Sequence, residues 1–296
     1  MHTDAIIPDT TGVSQWDSAW RSISTRPCRR PRHSPEIMQR MQHLEHLMLH
    51  EVERCLDTAG AELAVVSRAG SDLGKYRFDT ECPDYTHSGF AIRHDGKWFV
   101  DHLLNWHESA SGRLARHSLI DFFRDDPYAY RTGVLIPSPP LQKAIRQTLQ
   151  SPVREAIHSP EYSRLSYPFA TRYQNSNQWL AEIIGSAQSG ESRRDAIQHY
   201  LQEQGLRPTI LRLNPGLQVA AGIISANTRL DDHPWRNRLQ GRIEFLIEPS
   251  LRHYLQTSDP GCRVAHLTAS SAPRRHPVDR VCEDIANGAR HGGLAA

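Results

Sequence analysis

The sequence predicts an α+β fold: one domain of roughly residues 35–256, with a sheet and several helices. Three observations predict it. Residues 35–59 carry apolar side chains at helical spacing, Tyr85 to Asn105 alternate around an Asp-Gly turn, and short apolar runs then interleave with amphipathic segments.

The first helix is announced by Ser34-Pro35-Glu36, an N-cap followed by proline at the first helical position. Ile37, Met41, Leu44, Met48, Val52 and Cys55 then form one stripe that ends before Gly60. AELAVV (61–66) is a buried strand, and Gly70, Asp72 and Gly74 mark the loop after it. YTHSGFAIR (85–93) and KWFVDHLLN (97–105) flank His94-Asp95-Gly96, a strong hairpin signal. A short helix at SLIDFF, a strand at GVLIP (133–137) and a helix at LQKAIRQTLQ follow. Further helices are expected over 175–186 and 192–203. GRIEFLIEP (241–249) reads as a strand before a last short helix. Residues 1–34 form a flexible arm ending in the basic run Arg26 to His33, and residues 257–296 form a flexible tail in which periodicity is lost.

Composition narrows the function classes. The chain has 296 residues with 35 Lys and Arg against 33 Asp and Glu, a net charge of +2. A dedicated nucleic-acid binder carries a basic surplus, so none is expected. No apolar run is long enough to span a membrane. The N-terminal residues lack a basic start and an apolar core, so no Sec-type signal peptide is expected. The expected location is the cytoplasm of the producing cell, with any export by another route. Five scattered cysteines make no CxxC pair, which argues for reduced thiols over a zinc knuckle or a disulfide framework. The basic run Arg26–His33 is a solvated linker or a docking element for a protein partner.

The hairpin carries the first chemical constellation. With the turn at Asp95-Gly96, facing residues sum to 191, so His87 faces Leu104 and Gly89 faces His102. His87 and His102 are then diagonal neighbours on one face, with Gly89 leaving space beside them. Two imidazoles so placed make a base and the group that fixes its tautomer; the plain alternative is two histidines bonded to backbone carbonyls. A second element is RYQNSNQW (172–179), where Asn175 caps a helix and Ser176 falls in its first turn. Unpaired amides there favour developing negative charge, as a nucleophile or an oxyanion requires; a plain capping role for Ser176 is the alternative.

Together these elements resemble the circularly permuted papain-like fold of NlpC-type hydrolases and lecithin retinol acyltransferase relatives. More closely, FDTECPDYTHSGFAIR, HLLN, RYQNSNQW and DDHP resemble the bacterial family called domain of unknown function 2145, over about Pro27 to Leu255. The resemblance implies an antiparallel sheet packed against a nucleophile-bearing helix. It further implies an amidase or peptidase, of cell-wall or effector type, acting on a peptide- or amide-containing substrate without a cofactor. The catalytic set it implies is Ser176, His87 and His102, with Asn175, Asn177 and Tyr85 as oxyanion or substrate contacts. The pattern has Cys where this chain has Ser176, so the chain is either a natural serine variant or an inactive Cys-to-Ser form. An acyltransferase or thioesterase on lipid, and a catalytically dead binding module, are the other two readings.

Cys82, five residues before His87, is a rival nucleophile, although Glu81 and Asp84 oppose its ionisation. Cys262 near His266 is a weaker one. His43, His46 and His50 lie opposite the apolar stripe and face solvent, with no HExxH pattern. Asp231-Asp232-His233-Pro234 is read as turn and ion-pair structure. No metal site is expected.

Overall fold

The structure is a computed structural model and describes residues 35–105, 109–124, 129–218 and 226–269. The basic run Arg26–His33 lies outside the described residues. The chain opens with α1 (Pro35–Thr58), as its caps and stripe require; Met48, Val52 and Cys55 are buried and His43, His46 and His50 are exposed. Glu45 on the same helix is fully buried and bonded to Arg124 at 3.1 Å.

Six antiparallel strands form the main sheet: β1 (Leu63–Ala69), β3 (His87–His94), β4 (Lys97–Asn105), β5 (Gly112–Ser118), β6 (Ala129–Ile136) and β9 (Arg263–Thr268). Their order is β5-β4-β3-β1-β6-β9. The β3–β4 pairs run from Phe90↔Asp101 to His94↔Lys97, the register that the Asp-Gly turn dictates. Asp95 and Gly96 both have positive φ, 49° and 72°, as a two-residue hairpin turn requires. A smaller sheet pairs β2 (Arg77–Phe78), β7 (Thr209–Arg212) and β8 (Arg242–Phe245) in the order β2-β7-β8, over its own cluster of Leu211, Leu213, Leu230, Ile243, Phe245 and Ile247.

The two faces of the large sheet are covered by different helices, and this positions everything that follows. One face carries Ala64, Val66, Ala91, Val100 and Val134, packed with Met48, Val52 and Leu56 of α1 and with Phe122 of α2 (Leu119–Arg124). The other carries Phe90, whose ring meets Trp179 edge-on at 5.8 Å. Trp179 belongs to α5 (Ser176–Ser189), which together with α3 (Pro139–Gln150) covers that second face; Gln142 of α3 accepts the N–H groups of Glu62 and Leu63, each at 3.0 Å. The short α4 (Val153–Ile157) and α6 (Arg194–Glu203) flank α5, and α7 (Trp235–Leu239) and α8 (Glu248–Ser258) frame β8.

A mixed α+β fold with an antiparallel sheet against helices therefore stands as expected. Two elements differ. The stretch from 257 begins as the end of α8 and then forms β9, which pairs with β6 from Arg131↔Thr268 to Ile136↔Arg263, so the flexible tail expected there gives way to a core strand. Ala265 and Leu267 supply the apolar side of that strand, a signal only two residues long. The stretch GRLARHS is a strand although its sequence is polar, because Arg116 crosses to the buried carboxylate of Asp101 at 2.6 and 2.8 Å.

Gly133 in β6 lies beneath the ring of Tyr85, and a Cβ there would stand 2.8 Å from Tyr85 Cε2. Gly133→Ala is expected to destabilise the protein by about 1–3 kcal/mol, the range for overpacking a core, read as a fall in melting temperature without loss of secondary structure.

Candidate functional site

The hairpin register makes His87 and His102 neighbours, and the structure adds a third ring. His87 Nε2 stands 2.7 Å from His102 Nδ1, and His102 Nε2 stands 3.3 Å from His117 Nδ1. The cause is diagonal stepping. β3 and β4 pair with facing numbers summing to 191, and β4 and β5 pair from Phe99↔Ser118 to Asn105↔Gly112, a sum of 217. His102 therefore lies two residues from the position facing His87, and His117 two residues from the position facing His102, so all three share a face. A Cβ at Gly89 would lie 3.0 Å from His102 Cβ and closer still to Val100 Cγ1, so glycine is what lets these side chains close over the strand.

His102 is fully buried, whereas His87 and His117 are half-buried. Phe122 seals the row, its ring centroid 5.7 Å from that of His87 and 5.3 Å from that of His102. The Arg68 guanidinium stands 5.2 Å from the centroid of Phe122. Burial, reinforced by Arg68 and the neighbouring rings, holds both His87 and His102 well below the usual histidine range, so both are neutral at neutral pH. His102 turns one nitrogen to each neighbour, so the rings form a line rather than converging on a point. Among the described residues no group of three or more His, Cys, Asp or Glu is placed to hold a metal ion.

A line of neutral imidazoles has one chemical capability. Each ring donates through one nitrogen and accepts through the other, so a proton taken up at one end is matched by one passed along to the far end. Among the described residues no hydrogen bond engages His87 Nδ1.

Ser176 lies elsewhere. It opens α5 on the Phe90 face, while the histidines occupy the face packed by Phe122 and α1. The structure thus joins His87 to His102 but does not bring Ser176 to either ring; which face a distant helix covers is a tertiary choice that the local spacing did not reveal.

The residues around Ser176 show what RYQNSNQW is for. Tyr173 donates to Asp231 at 3.0 Å. Gln174 accepts the Ser159 N–H at 2.9 Å and donates to the Ile157 carbonyl and to Glu182. Asn175 Oδ1 caps the Gln178 N–H at 2.7 Å while its amide donates to the carbonyls of Arg164 and Leu246. Asn175 is therefore wholly engaged in structure, and the expected oxyanion role for it is withdrawn. Gln178 accepts from Ser166 at 2.6 Å. Glu182 gathers Gln174, Gln178, Gln198 and a two-point ion pair with Arg194 at 2.8 and 3.0 Å. Ser176 and Asn177 stand apart: both are 2 % exposed, and the Asn177 Oδ1 is buried without a hydrogen-bond partner.

Tyr85 is nearly buried on the second face, stacked on His266 and bonded to its Nδ1 at 3.0 Å, so it does not join His87. Burial, with Glu248 and Asp84, raises the Tyr85 phenol well above its ordinary value. Glu248 is 2 % exposed, and burial pushes its carboxyl up to about 7, against the opposing pull of Arg252. Cys82 is exposed in the loop before β3. Burial pushes the Cys262 thiol up to about 12, away from nucleophilic use at neutral pH. His233 bonds Asp232 and the Glu244 carbonyl, each at 2.9 Å, a structural turn as expected. A surface cavity of about 490 Å³ lined by Phe169, Arg172, Gln198 and His199 includes none of the predicted site residues.

These shifts have a pH signature. Histidines held below the unfolded value of 6.5 bind fewer protons folded than unfolded, so stability rises with pH up to about 6.5 and is lost as pH falls below it. Glu248, raised from 4.5 to about 7, acts oppositely and costs stability as pH rises through that interval. Glu248→Gln is therefore expected to melt higher than the parent at about pH 8. The same variant should show an uninterrupted fall in melting temperature as pH drops below 6.5, which scanning calorimetry across pH would record.

A family model described as an uncharacterized protein conserved in bacteria, DUF2145, matches residues 55–255. No curated protein and no solved structure matches the chain. No helix among the described residues is long and apolar enough to cross a membrane.

Proposed function

The chain belongs to the DUF2145 family, and from that premise we propose that it is a hydrolase of amide or related acyl bonds whose proton-handling element is His87–His102–His117. The observation that carries this reading is the continuous line of ring nitrogens at 2.7 and 3.3 Å, closed off by Phe122. His87 Nδ1 takes a proton from the attacking water as its oxygen adds to the carbonyl carbon. The proton on His87 Nε2 moves to His102 Nδ1, and that on His102 Nε2 moves to His117 Nδ1. Reversal of the line returns a proton to the departing amine, so no buried ring has to hold a charge for long. Depressed basicity keeps His87 unprotonated and ready well below neutrality. The acid limb of activity is thus expected below the ordinary histidine value of 6.5.

A second reading is favoured by Ser176 and Asn177, the two polar side chains of RYQNSNQW without a structural task, set in the first turn of a buried helix. The papain-like resemblance implies a covalent acyl intermediate at residue 176, which on this face requires a base other than His87. The two readings separate in one experiment on a panel of amide, ester and thioester substrates. Loss of turnover in His87→Ala with Ser176→Ala unaffected supports direct attack by water. Loss in Ser176→Ala, with a gain in Ser176→Cys and labelling of that cysteine by an electrophile, supports the covalent route. If the parent, Ser176→Cys and His87→Ala all fail to turn over any member of the panel, the hydrolase reading falls and a binding module takes its place.

A further inference from the structure

Tyr76, Leu217, Trp235 and Leu239 are the exposed large hydrophobic residues among those described, at 44, 53, 65 and 67 %. They come from separate segments, yet the register of the small sheet gathers them. Arg77, Arg212 and Arg242 are paired across its last rung. Tyr76 continues one strand past that rung, Leu217 follows the second, and Leu239 precedes the third. Gln218 donates to the carbonyls of Leu213 and Arg238, both at 2.8 Å, and so ties the turn bearing Leu217 to α7, which bears Trp235 and Leu239 on one side.

A cation accompanies each of these apolar tips except Leu217. Lys75 stands 5.3 Å from the Tyr76 ring centroid, Arg236 stands 5.4 Å from that of Trp235, and Arg238 precedes Leu239. Among the described residues Lys75, Arg77, Arg236 and Arg238 make no ion pair, whereas two nearby carboxylates are committed: Asp79 to Arg212 at 2.5 Å and Glu244 to Arg242 at 2.7 Å. Free positive charge thus surrounds apolar tips that stand out into solvent.

We propose that this end of the small sheet docks on an anionic lipid surface, with Trp235, Leu239 and Tyr76 entering the headgroup boundary and Lys75, Arg77 and Arg236 meeting lipid phosphates. Two features favour lipid over an acidic protein. Tryptophan and tyrosine flanked by lysine and arginine suit the boundary between headgroups and acyl chains. The apolar tips also stand singly at high exposure, where a protein partner is usually met by a recessed, contiguous apolar core.

The test is co-sedimentation of the full chain with phosphatidylcholine vesicles, with and without phosphatidylglycerol, at rising salt. Binding is expected with the anionic vesicles alone and should weaken as salt screens the contact. Lys75→Gln and Arg236→Gln should each lower the partition coefficient about fivefold, and Trp235→Ala with Leu239→Ser should abolish binding. All four positions are solvent-facing, and unchanged melting curves for the variants would separate lost docking from lost fold. Failure to sediment with anionic vesicles, or equal binding by the parent and the variants, overturns the proposal. A change of oligomeric mass in the Trp235→Ala, Leu239→Ser variant without vesicles overturns it too, in favour of contact between copies.

Discussion

On the proposed hydrolase reading, His102→Phe is expected to lower turnover by about two to four orders of magnitude while leaving a folded protein, the range associated with loss of acid–base catalysis. The ring it replaces is fully buried and already edged against Phe122 at 5.3 Å, so a second phenyl group fits the apolar surroundings. What is lost is the bridge. His87 Nε2 and His117 Nδ1 lose their partner, and the proton taken up at one end can no longer leave by the other. Nitrogen-15 spectra of the imidazoles check this independently of any substrate: in the parent, His87 and His102 should each show one protonated and one bare nitrogen at neutral pH. Charged rings at neutral pH, or hydrolysis undiminished in His102→Phe, would remove the basis for the relay. His117→Phe tests the far end of the line and should cost less than His102→Phe, because it leaves the 2.7 Å bond intact.

Glu182→Ala is expected to give the largest loss of stability, about 3–5 kcal/mol. Its carboxylate is 1 % exposed and receives Arg194 at two points together with the amides of Gln174, Gln178 and Gln198. Truncation leaves a nearly buried guanidinium without its carboxylate, and leaves the amides of Gln174, Gln178 and Gln198 only backbone carbonyls to donate to. The damage should centre on residues 158–175, because Gln174 and Gln178 are what hold that irregular segment to α5. Chemical denaturation would show the loss, and amide exchange would show whether protection falls first in that segment. Glu182→Gln keeps an acceptor oxygen and should recover part of the loss; if both substitutions cost under about 1 kcal/mol, the segment is held by something else.

The parts of the fold legible in the sequence are those fixed locally. The Asp-Gly turn sets a positive-φ pair, the pair sets the register, and the register puts His87 beside His102. His117 was missed because β5 hides among Arg113, Arg116 and His117, polar residues whose partners lie on the neighbouring strand. Pairing cannot be read until the strand itself is recognised. RYQNSNQW stands out in the sequence, but most of it is packing chemistry: Gln174 and Asn175 there satisfy backbone groups of a segment that forms almost no regular structure. The placement of Ser176 on the opposite face from the histidines depends on α5 crossing Phe90, a contact between residues 90 and 179 that no local pattern encodes.

Strand β9 has a bearing on where the chain can be cut. Its partner β6 ends in Gly133, Val134, Leu135 and Ile136, apolar and buried, and β9 occupies the whole flank of that run from Arg131 to Ile136. A chain cut where the family match ends, at residue 255, would lay this flank bare as a flat apolar ribbon with unspent amides and carbonyls, the template on which identical chains polymerise. With β9 in place that flank is paired along its length, and the strand that covers it bears Arg263 and His266. Among the described residues β9 closes that end of the sheet, and a truncation chosen by sequence similarity alone would remove it.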